Sequence, residues 1–552
     1  MKNLKNLLLF IFFGLCLHTA IIAQNVDIPD KNFKYTLVND KSVDTNADGI
    51  GDADADTNND GEIQLSEAKA VVSLHVSNKG IANLTSILSF TNLKILDCSS
   101  NKLISLNVQG CTNLKYINCF YNKLTSLNVQ GLASLQELDC SGNQLTSVNV
   151  QNLASLQKFD CSDNKLTSLN VQNLANLQSL GCSSNQLTSL NVQNLANLQE
   201  INCYGNQLIS LDVQGSTNLK EIYCPSNKLT SLNAQNLKNL QGFYCHGNQL
   251  ISLNVQGNTN LKDIDCSGNQ LTSLNVQGLT NLDTIDCSNN KLISLNVQGC
   301  TNLKYIDRIY NQLPNLNVQG LTNLTWLFCE LNKLTSLNVQ GCTNLKYINC
   351  SDNELPSLNV QGLLNLEYIS CSHNELPSLN VQGLFNLQHI RCFNNKLTSL
   401  NVKGLLNLTV IFCNDNPITC LSILPNSLMI LGTTGTNITC LPNIPTAVTT
   451  KLPLCPSNTK PCEFVAVNDL ESNNLDAIFY PNPTSSSLNI KINDFKSPSY
   501  QLVLNNTLGQ TVFSQNITQN TTELDVSGFP KGIYLLKLKD NQTQTTKKII
   551  VE

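Results

Sequence analysis

Leu93-Lys94-Ile95-Leu96-Asp97-Cys98-Ser99-Ser100-Asn101-Lys102-Leu103 is a phrase that the chain repeats as far as Asn416. Between Cys98 and Cys413 a cysteine recurs every 21 residues, at 15 of 16 possible places, and Arg308 is the one exception. Three residues after each place stands an asparagine, all 16 times, from Asn101 and Asn122 to Asn416. The intervening stretch, such as 103–114, repeats the shorter pattern LxxLxVxxCxxL. A fixed period of about 20–29 residues means stacked units, each burying its apolar face only against its neighbours.

The phrase LxxLxLxxNxL, with Cys in the last strand Leu slot, is that of leucine-rich repeats. The fold class expected is therefore a leucine-rich-repeat solenoid with a parallel β-sheet on its concave face and little helix. Length agrees, because one compact core stops growing near ~250–300 residues and this chain has 552. Charged residues are 13% of the chain, so Asn, Ser, Thr and Gln must cover the surface. The net charge is −5, yet residues 44–67 hold eight acids and no base, which leaves the remainder net positive by about three. Without a basic stripe to neutralise phosphates, nucleic acid is not an expected partner.

Met1-Lys2-Asn3-Leu4-Lys5 followed by apolar Leu7 to Leu17 and small Ala23 predicts a secretory signal peptide over 1–23. Cys16 is no lipoprotein site, since Leu15 before it is too large and the chain stays apolar after it. No later run reaches the ~20 apolar residues of a membrane span, so no transmembrane segment is expected. Residues 24–70 form an N-terminal cap in which Asp30 is a helix N-cap. The solenoid covers 71–455, opening on an irregular unit around Leu74 and closing on degenerate units at Cys420 and Cys440. A polar linker spans 456–476. Residues 477–552 alternate apolar and polar between Gly, Pro and Asn turns, which predicts a small antiparallel β-sandwich.

Within a repeat, alternation turns Leu96 and Cys98 inward and Ile95, Asp97 and Ser99 outward. The asparagine column is expected to be structural, its carboxamides satisfying backbone groups where the chain leaves the strand. In-register side chains stand about 4.8 Å apart, beyond the ~3.5–4.5 Å Cβ separation of a disulfide. A straight column also offers no tetrahedral metal quartet. The ladder cysteines are therefore expected to be buried, small and apolar. Cys420, Cys440, Cys455 and Cys462 lie outside the column, and Cys455 with Cys462, in a Pro-bounded loop, is the disulfide expected.

The 21-residue cysteine period, the phrase Asn-Gln-Leu-Thr-Ser-Leu-Asn-Val and the opening Asn78-Lys79-Gly80-Ile81 resemble the cysteine-ladder repeats of the internalin family. The resemblance implies a repeat array serving as a protein-binding or adhesive surface; it does not name the ligand.

Asp56-Thr57-Asn58-Asn59-Asp60-Gly61-Glu62-Ile63-Gln64-Leu65-Ser66-Glu67 fits the twelve-position EF-hand loop, with oxygen side chains at positions 1, 3 and 5, Gly at 6 and Glu at 12. Asp56, Asn58, Asp60, Glu62, Gln64 and Glu67 are the expected ligands of a structural calcium ion. Asp44-Thr45-Asn46-Ala47-Asp48-Gly49 begins an incomplete second copy, so the pair also resembles thrombospondin type 3 calcium repeats. The alternative is a solvated acidic turn.

Phe479-Tyr480-Pro481-Asn482-Pro483, Leu508-Gly509-Gln510, Gly532-Ile533-Tyr534-Leu535-Leu536-Lys537 and the terminal Lys547-Lys548-Ile549-Ile550-Val551-Glu552 resemble the C-terminal sorting domain of type IX secretion. That resemblance implies a partner in the outer-membrane type IX machinery, and a product secreted from, or attached to the outer surface of, a Gram-negative bacterium.

The chain has five His, four of them beyond the signal segment and each in a different repeat. There is no nucleophile elbow, HExxH or phosphate loop, so the chain is not expected to be an enzyme. A binding or adhesion protein recognising a protein or glycan on its concave face is the leading expectation; a structural surface-layer or biofilm matrix protein is the alternative. Outward positions are mostly Ser, Asp, Asn or Glu. Three places before the cysteine, however, Tyr305, Trp326, Tyr347, Tyr368 and His389 follow one another, with Phe328 and Phe393 in adjacent columns. These seven are the expected ligand-binding residues, because aromatic rings supply amphipathic area at small entropy cost. Ladder packing of the rings is the competing explanation. Tyr204, Tyr223, Tyr244 and His246 form a smaller, earlier patch. Arg308 is expected to distort the sheet locally.

Overall fold

A computed structural model describes residues 24–456, 477–480, 484–492, 498–506, 511–540 and 544–551. The expected signal peptide, Cys462 and nearly all of the expected linker lie outside the described residues, as do Pro481-Asn482-Pro483 and Leu508-Gly509-Gln510.

The half-phrase before each cysteine forms a three-residue strand, and these strands build one 18-stranded sheet running from Ser73–His75 to Ile430–Gly432. Pairing is parallel and advances one repeat per strand, as in Ile95↔Tyr116, Leu96↔Ile117 and Asp97↔Asn118. The period therefore fixes the register: like stands over like. The Ser-Leu-Asn segment of the shorter phrase pairs too, for example Ser105–Asn107 with Ser126–Asn128. This second set of two-stranded pairs goes beyond the single sheet expected, and it has the same cause. Leu96, Cys98, Leu103, Leu106, Val108 and Leu114, with their equivalents, fill a continuous interior. Each fully buried aliphatic side chain contributes about 1.5–3 kcal/mol.

The asparagine column is wired as its chemistry requires. Asn122 Nδ2 donates to the carbonyls of Cys98 and Cys119, each at 3.1 Å, and Oδ1 accepts the Leu103 amide at 3.0 Å. One carboxamide thus joins two consecutive turns, and the arrangement recurs to Asn416. The residue before each asparagine is left-handed even where it is bulky, as at Leu331 (φ 54°). Where the apolar column thirteen places after the cysteine turns polar, the side chain bonds back to the preceding turn: Cys111 to the Ile87 carbonyl, Ser216 to Val192 and Asn258 to Ala234.

The ladder cysteines are free and buried. Burial raises their thiols, Cys203 and Cys371 to about 12, so they stay protonated and unreactive. Arg308 is a different occupant of the same column. It is completely buried, and its Nε, Nη1 and Nη2 have no hydrogen-bond partner. The expected distortion of the sheet does not follow: Thr284↔Tyr305 and Tyr305↔Trp326 keep register. The backbone shows only a longer bond, Arg308 N to Phe328 O at 3.2 Å against 2.8 Å for Cys329 N to Asn349 O. Backbone pairing holds the strand, and the cost falls on the side chain.

Both ends of the stack are closed. The helix Lys31–Asn39 is capped by Asp30 as expected, Oδ1 accepting the amides of Asn32 and Phe33 while Oδ2 takes those of Ala82 and Asn83. Phe33 and Leu37 pack on the first turns. At the far end Cys440 bonds to Cys455. This corrects the expected Cys455–Cys462 pair: Leu441 and Leu454 meet in a parallel bridge, which brings the sulfurs beside them together. Cys420 is disulfide-bonded as well.

The C-terminal segment has its own core of Leu488, Ile490, Leu502, Leu504, Leu536 and Leu538. Its antiparallel strands form a three-stranded sheet (Ala477–Tyr480, Ser487–Ile492, Thr521–Asp525) and a four-stranded sheet (Tyr500–Asn505, Thr511–Ile517, Gly532–Lys539, Gln544–Val551), a small β-sandwich. Among the described residues no helix is long and apolar enough to cross a membrane.

Candidate functional site

The outward side chains of the long sheet form columns because the strands are in register. Trp326, Tyr347 and Tyr368 are consecutive partners in one column. Tyr347 and Tyr368 stack at 4.1 Å with 5° between their planes, and Trp326 covers the other side of Tyr347 at 5.3 Å. Phe328 reaches across to Tyr305 (5.6 Å), Trp326 (6.5 Å) and Tyr347 (5.0 Å). His389 meets Tyr368 edge-on at 5.7 Å; desolvation, and then the Arg391 charge, hold its pKa below the usual value. Six of the seven expected ligand-binding residues therefore form one cluster. Phe393 makes its ring contact with His373, at 5.0 Å and 85°, at the turn that follows the strand.

The sequence reading missed two members. The Arg391 guanidinium lies 5.7 Å from the ring centroids of both Tyr368 and Phe412, continuing the cluster into the next strand. Phe412 and Arg391 occupy the place just before the cysteine, as Phe328 does, and that shared place was the available signal. Trp326 remains 42% exposed while its partners are half-buried, so it is the most accessible large ring of the cluster.

Acids flank the rings. Asp265, Asp286 and Asp307 are consecutive partners, each accepting an amide two residues on, from Ser267, Ser288 and Ile309. Burial raises the carboxyls of Asp286 and Asp307, and their neighbouring carboxylates raise them further. Glu330 is pushed up to about 7, chiefly by desolvation and then by repulsion from Asp307 and Asp352; its Oε2 has no hydrogen-bond partner. Tyr305 bonds Asp307 at 3.3 Å, and burial with that charge lifts its phenol to about 12. In the earlier patch Tyr223 and Tyr244 stack at 4.5 Å and 8°, and His246 Nδ1 lies 2.8 Å from Asp265 Oδ2.

The acidic loop of the cap folds on its own carboxylates. Asp56 accepts the amides of Asp60 and Gly61, Asn58 that of Asp60, and Asp60 that of Glu62. Gln64 donates to Asp60. Glu67 accepts from Thr57 N and Oγ1, and closes a capping box on Gln64 N at 2.9 Å. Five of the six expected donors bond within the loop, whereas the Glu62 carboxylate pairs with Lys34 Nζ at 2.6 Å; hard oxygens suit calcium. Glu67, however, faces backbone amides. Among the described residues no group of three His, Cys, Asp or Glu side chains is arranged to hold an ion. A closed ligand shell would require Glu67 to turn out of the cap.

Comparison with known proteins agrees with these two parts. Residues 478–552 match the family described as the secretion system C-terminal sorting domain, and residues 68–164 match the leucine-rich-repeat domain of the endo-beta-N-acetylglucosaminidase EndoS. No curated protein matches the chain. Among solved structures, the functional domain of InlJ from Listeria monocytogenes, which includes a cysteine ladder, is similar at 22% identity and a TM-score of 0.51, covering 96% of this chain and 98% of that one. YopM from Yersinia enterocolitica is similar at 22% identity and a TM-score of 0.45, over 70% of this chain and 92% of that one. The internalin InlF from Listeria monocytogenes gives 18% identity and a TM-score of 0.37, over 73% and 94%. No catalytic family is indicated by these matches. The fold is a cysteine-ladder leucine-rich-repeat solenoid, and its C-terminal segment is a type IX secretion sorting domain, which marks the protein for export and attachment at the outer surface of bacteria.

Proposed function

We propose that this is a non-enzymatic binding or adhesion protein, delivered by the type IX machinery after removal of a signal peptide, which recognises a protein or glycan on the outer face of its long sheet. The observation that carries the reading is the continuous ring cluster centred on Trp326, Tyr347 and Tyr368, a partly exposed aromatic surface more extensive than the Tyr223–Tyr244 pair, on a face whose other residues are mostly polar. Such rigid rings act as hot spots, because little side-chain entropy is lost on docking. Trp326→Ala together with Tyr347→Ala is expected to lower affinity for the native surface at least about tenfold, or 1.4 kcal/mol, with the fold intact. Unchanged adhesion by the folded double variant would favour the structural surface-layer or biofilm reading, in which the rings only pack on one another.

Calcium in the 56–67 loop would be structural, ordering the cap with Asp56, Asn58, Asp60, Glu62, Gln64 and Glu67 as ligands. Adding calcium should then raise the melting temperature and protect the chain near Asp52 from proteolysis. No change in either would leave the loop as a hydrogen-bonded acidic turn.

A further inference from the structure

The sign of the charge on the outer face restricts what can dock there. Three outward columns run along the sheet: the places three before, one before and one after each ladder position. From the strand at Ile95–Asp97 to that at Val410–Phe412 they carry 11 acids, namely Asp97, Glu137, Asp139, Asp160, Glu200, Glu221, Asp263, Asp265, Asp286, Asp307 and Glu330. Against these stand two bases, Lys158 and Arg391. The whole chain is nearly balanced, with 39 acids and 34 Lys and Arg, so the face is selectively negative. Lysines stand instead four places before or after the ladder position, on the two rims, as Lys304 and Lys333 do. The acids crowd together in spite of their repulsion: Asp265, Asp286 and Asp307 are direct strand neighbours, and Glu221 and Glu330 each keep a carboxylate oxygen without a hydrogen-bond partner.

The rings restrict the ligand further. A sugar stacks on the open face of a ring, but Tyr347 has Trp326 on one face and Tyr368 on the other. Arg391 approaches the Tyr368 ring as well. The ladder therefore offers mainly ring edges and hydroxyls, with Trp326 as the open surface. Edges suit interdigitating apolar side chains better than a pyranose.

Resting on the reading that this face binds a macromolecule, we propose that its partner is a protein segment bearing lysine or arginine, lying along the sheet with its cations over Asp286, Asp307 and Glu330 and its apolar side chains on Trp326 and Phe328. Charge complementarity of this kind sets partner choice and association rate.

The test uses the exported protein with both its cap and its full repeat array, and labelled oligolysine and oligoglutamate peptides as probes at about 0.15 M salt, where exposed charges more than about 8 Å apart are screened, and above pH about 8, where Glu330 is ionised. Oligolysine should bind and oligoglutamate should not. The triple variant Asp286→Asn, Asp307→Asn, Glu330→Gln should weaken oligolysine binding at least about tenfold. A rim variant with the same change of charge, Glu354→Gln, Glu375→Gln, Asp415→Asn, should change it less than about twofold. Equal weakening by both variants would reduce the effect to net charge and overturn the proposal. So would indifference between the probes, or capture of neutral glycans in place of the cationic peptide. If the acidic triple variant adheres normally to the native surface while the Trp326 and Tyr347 double variant does not, the cationic partner is wrong and the binding reading stands. If neither variant loses anything, both fall.

Discussion

The inner and outer faces of the long sheet are made by alternating residues of the same three-residue strands, yet they obey different rules. Inward, Leu96 and Cys98 and their equivalents vary little, and each asparagine at the strand exit makes the same bonds to two turns. A substitution there is felt by both neighbours, because stacking allows no room for change. Outward, the strand holding Asp97 is followed by strands holding Asn118, Asp139, Tyr223 and Phe328 at the same place, and the backbone does not move. Interior packing holds the solenoid, so its outer columns can change composition freely. Arg308 is the instructive exception: an inward place filled as though it faced out, on the strand that bears Tyr305 and Asp307.

The comparison can be broken most forcefully at that residue. Arg308→Cys restores the ladder and removes a buried, unpaired charge, for which about 3–5 kcal/mol of added stability is expected. A denaturant midpoint no higher than that of the parent protein would show that the guanidinium finds a partner in solution. Asn227→Ala attacks the inner face from the other side. It removes the bonds to the carbonyls of Cys203 (3.0 Å), Cys224 and Pro225, and leaves the Leu208 amide buried and unpaired. About 1–3 kcal/mol of stability should be lost, with ligand binding untouched if the remaining repeats hold. Loss of binding in proportion to loss of stability would mean that the two faces are coupled.

The outer face should respond in affinity rather than in stability, as the Trp326 and Tyr347 double variant tests. Its smallest expected effect on folding is at Glu330. That carboxyl sits near 7 in the folded protein against an ordinary 4.5. Between these values the folded state holds the proton more tightly, so stability falls as pH rises through this window. Glu330→Gln should therefore match the parent protein below pH about 4.5 and melt slightly higher above pH about 7. A melting difference that does not depend on pH would place the effect in packing.

Much of the fold was legible in the chain because a repeat states its own register. Once Cys98 and Cys119 are equivalent, Leu96 must lie against Ile117, and the inward and outward sets follow from alternation. The asparagine role was legible for the same reason. The Cys440–Cys455 bond was not, because the closing units break the period, and only the meeting of Leu441 with Leu454 shows which sulfurs come together. The column of Tyr305, Trp326, Tyr347, Tyr368 and His389 could be read from spacing. That Phe393 turns to His373, and that Arg391 and Phe412 join the cluster, depends on ring orientation, which spacing does not contain.

The sequence by itself determined the solenoid, the residues that line its interior and the segment that marks it for export, because each is written as a period or a motif along the chain. Only the tertiary structure decided which rings cover one another, that Glu67 closes a capping box on Gln64, and that Arg308 is buried without distorting the sheet. The physical reason is that a repeat fixes where each Cα stands, whereas contacts between side chains depend on rotamers chosen jointly by neighbours in different turns.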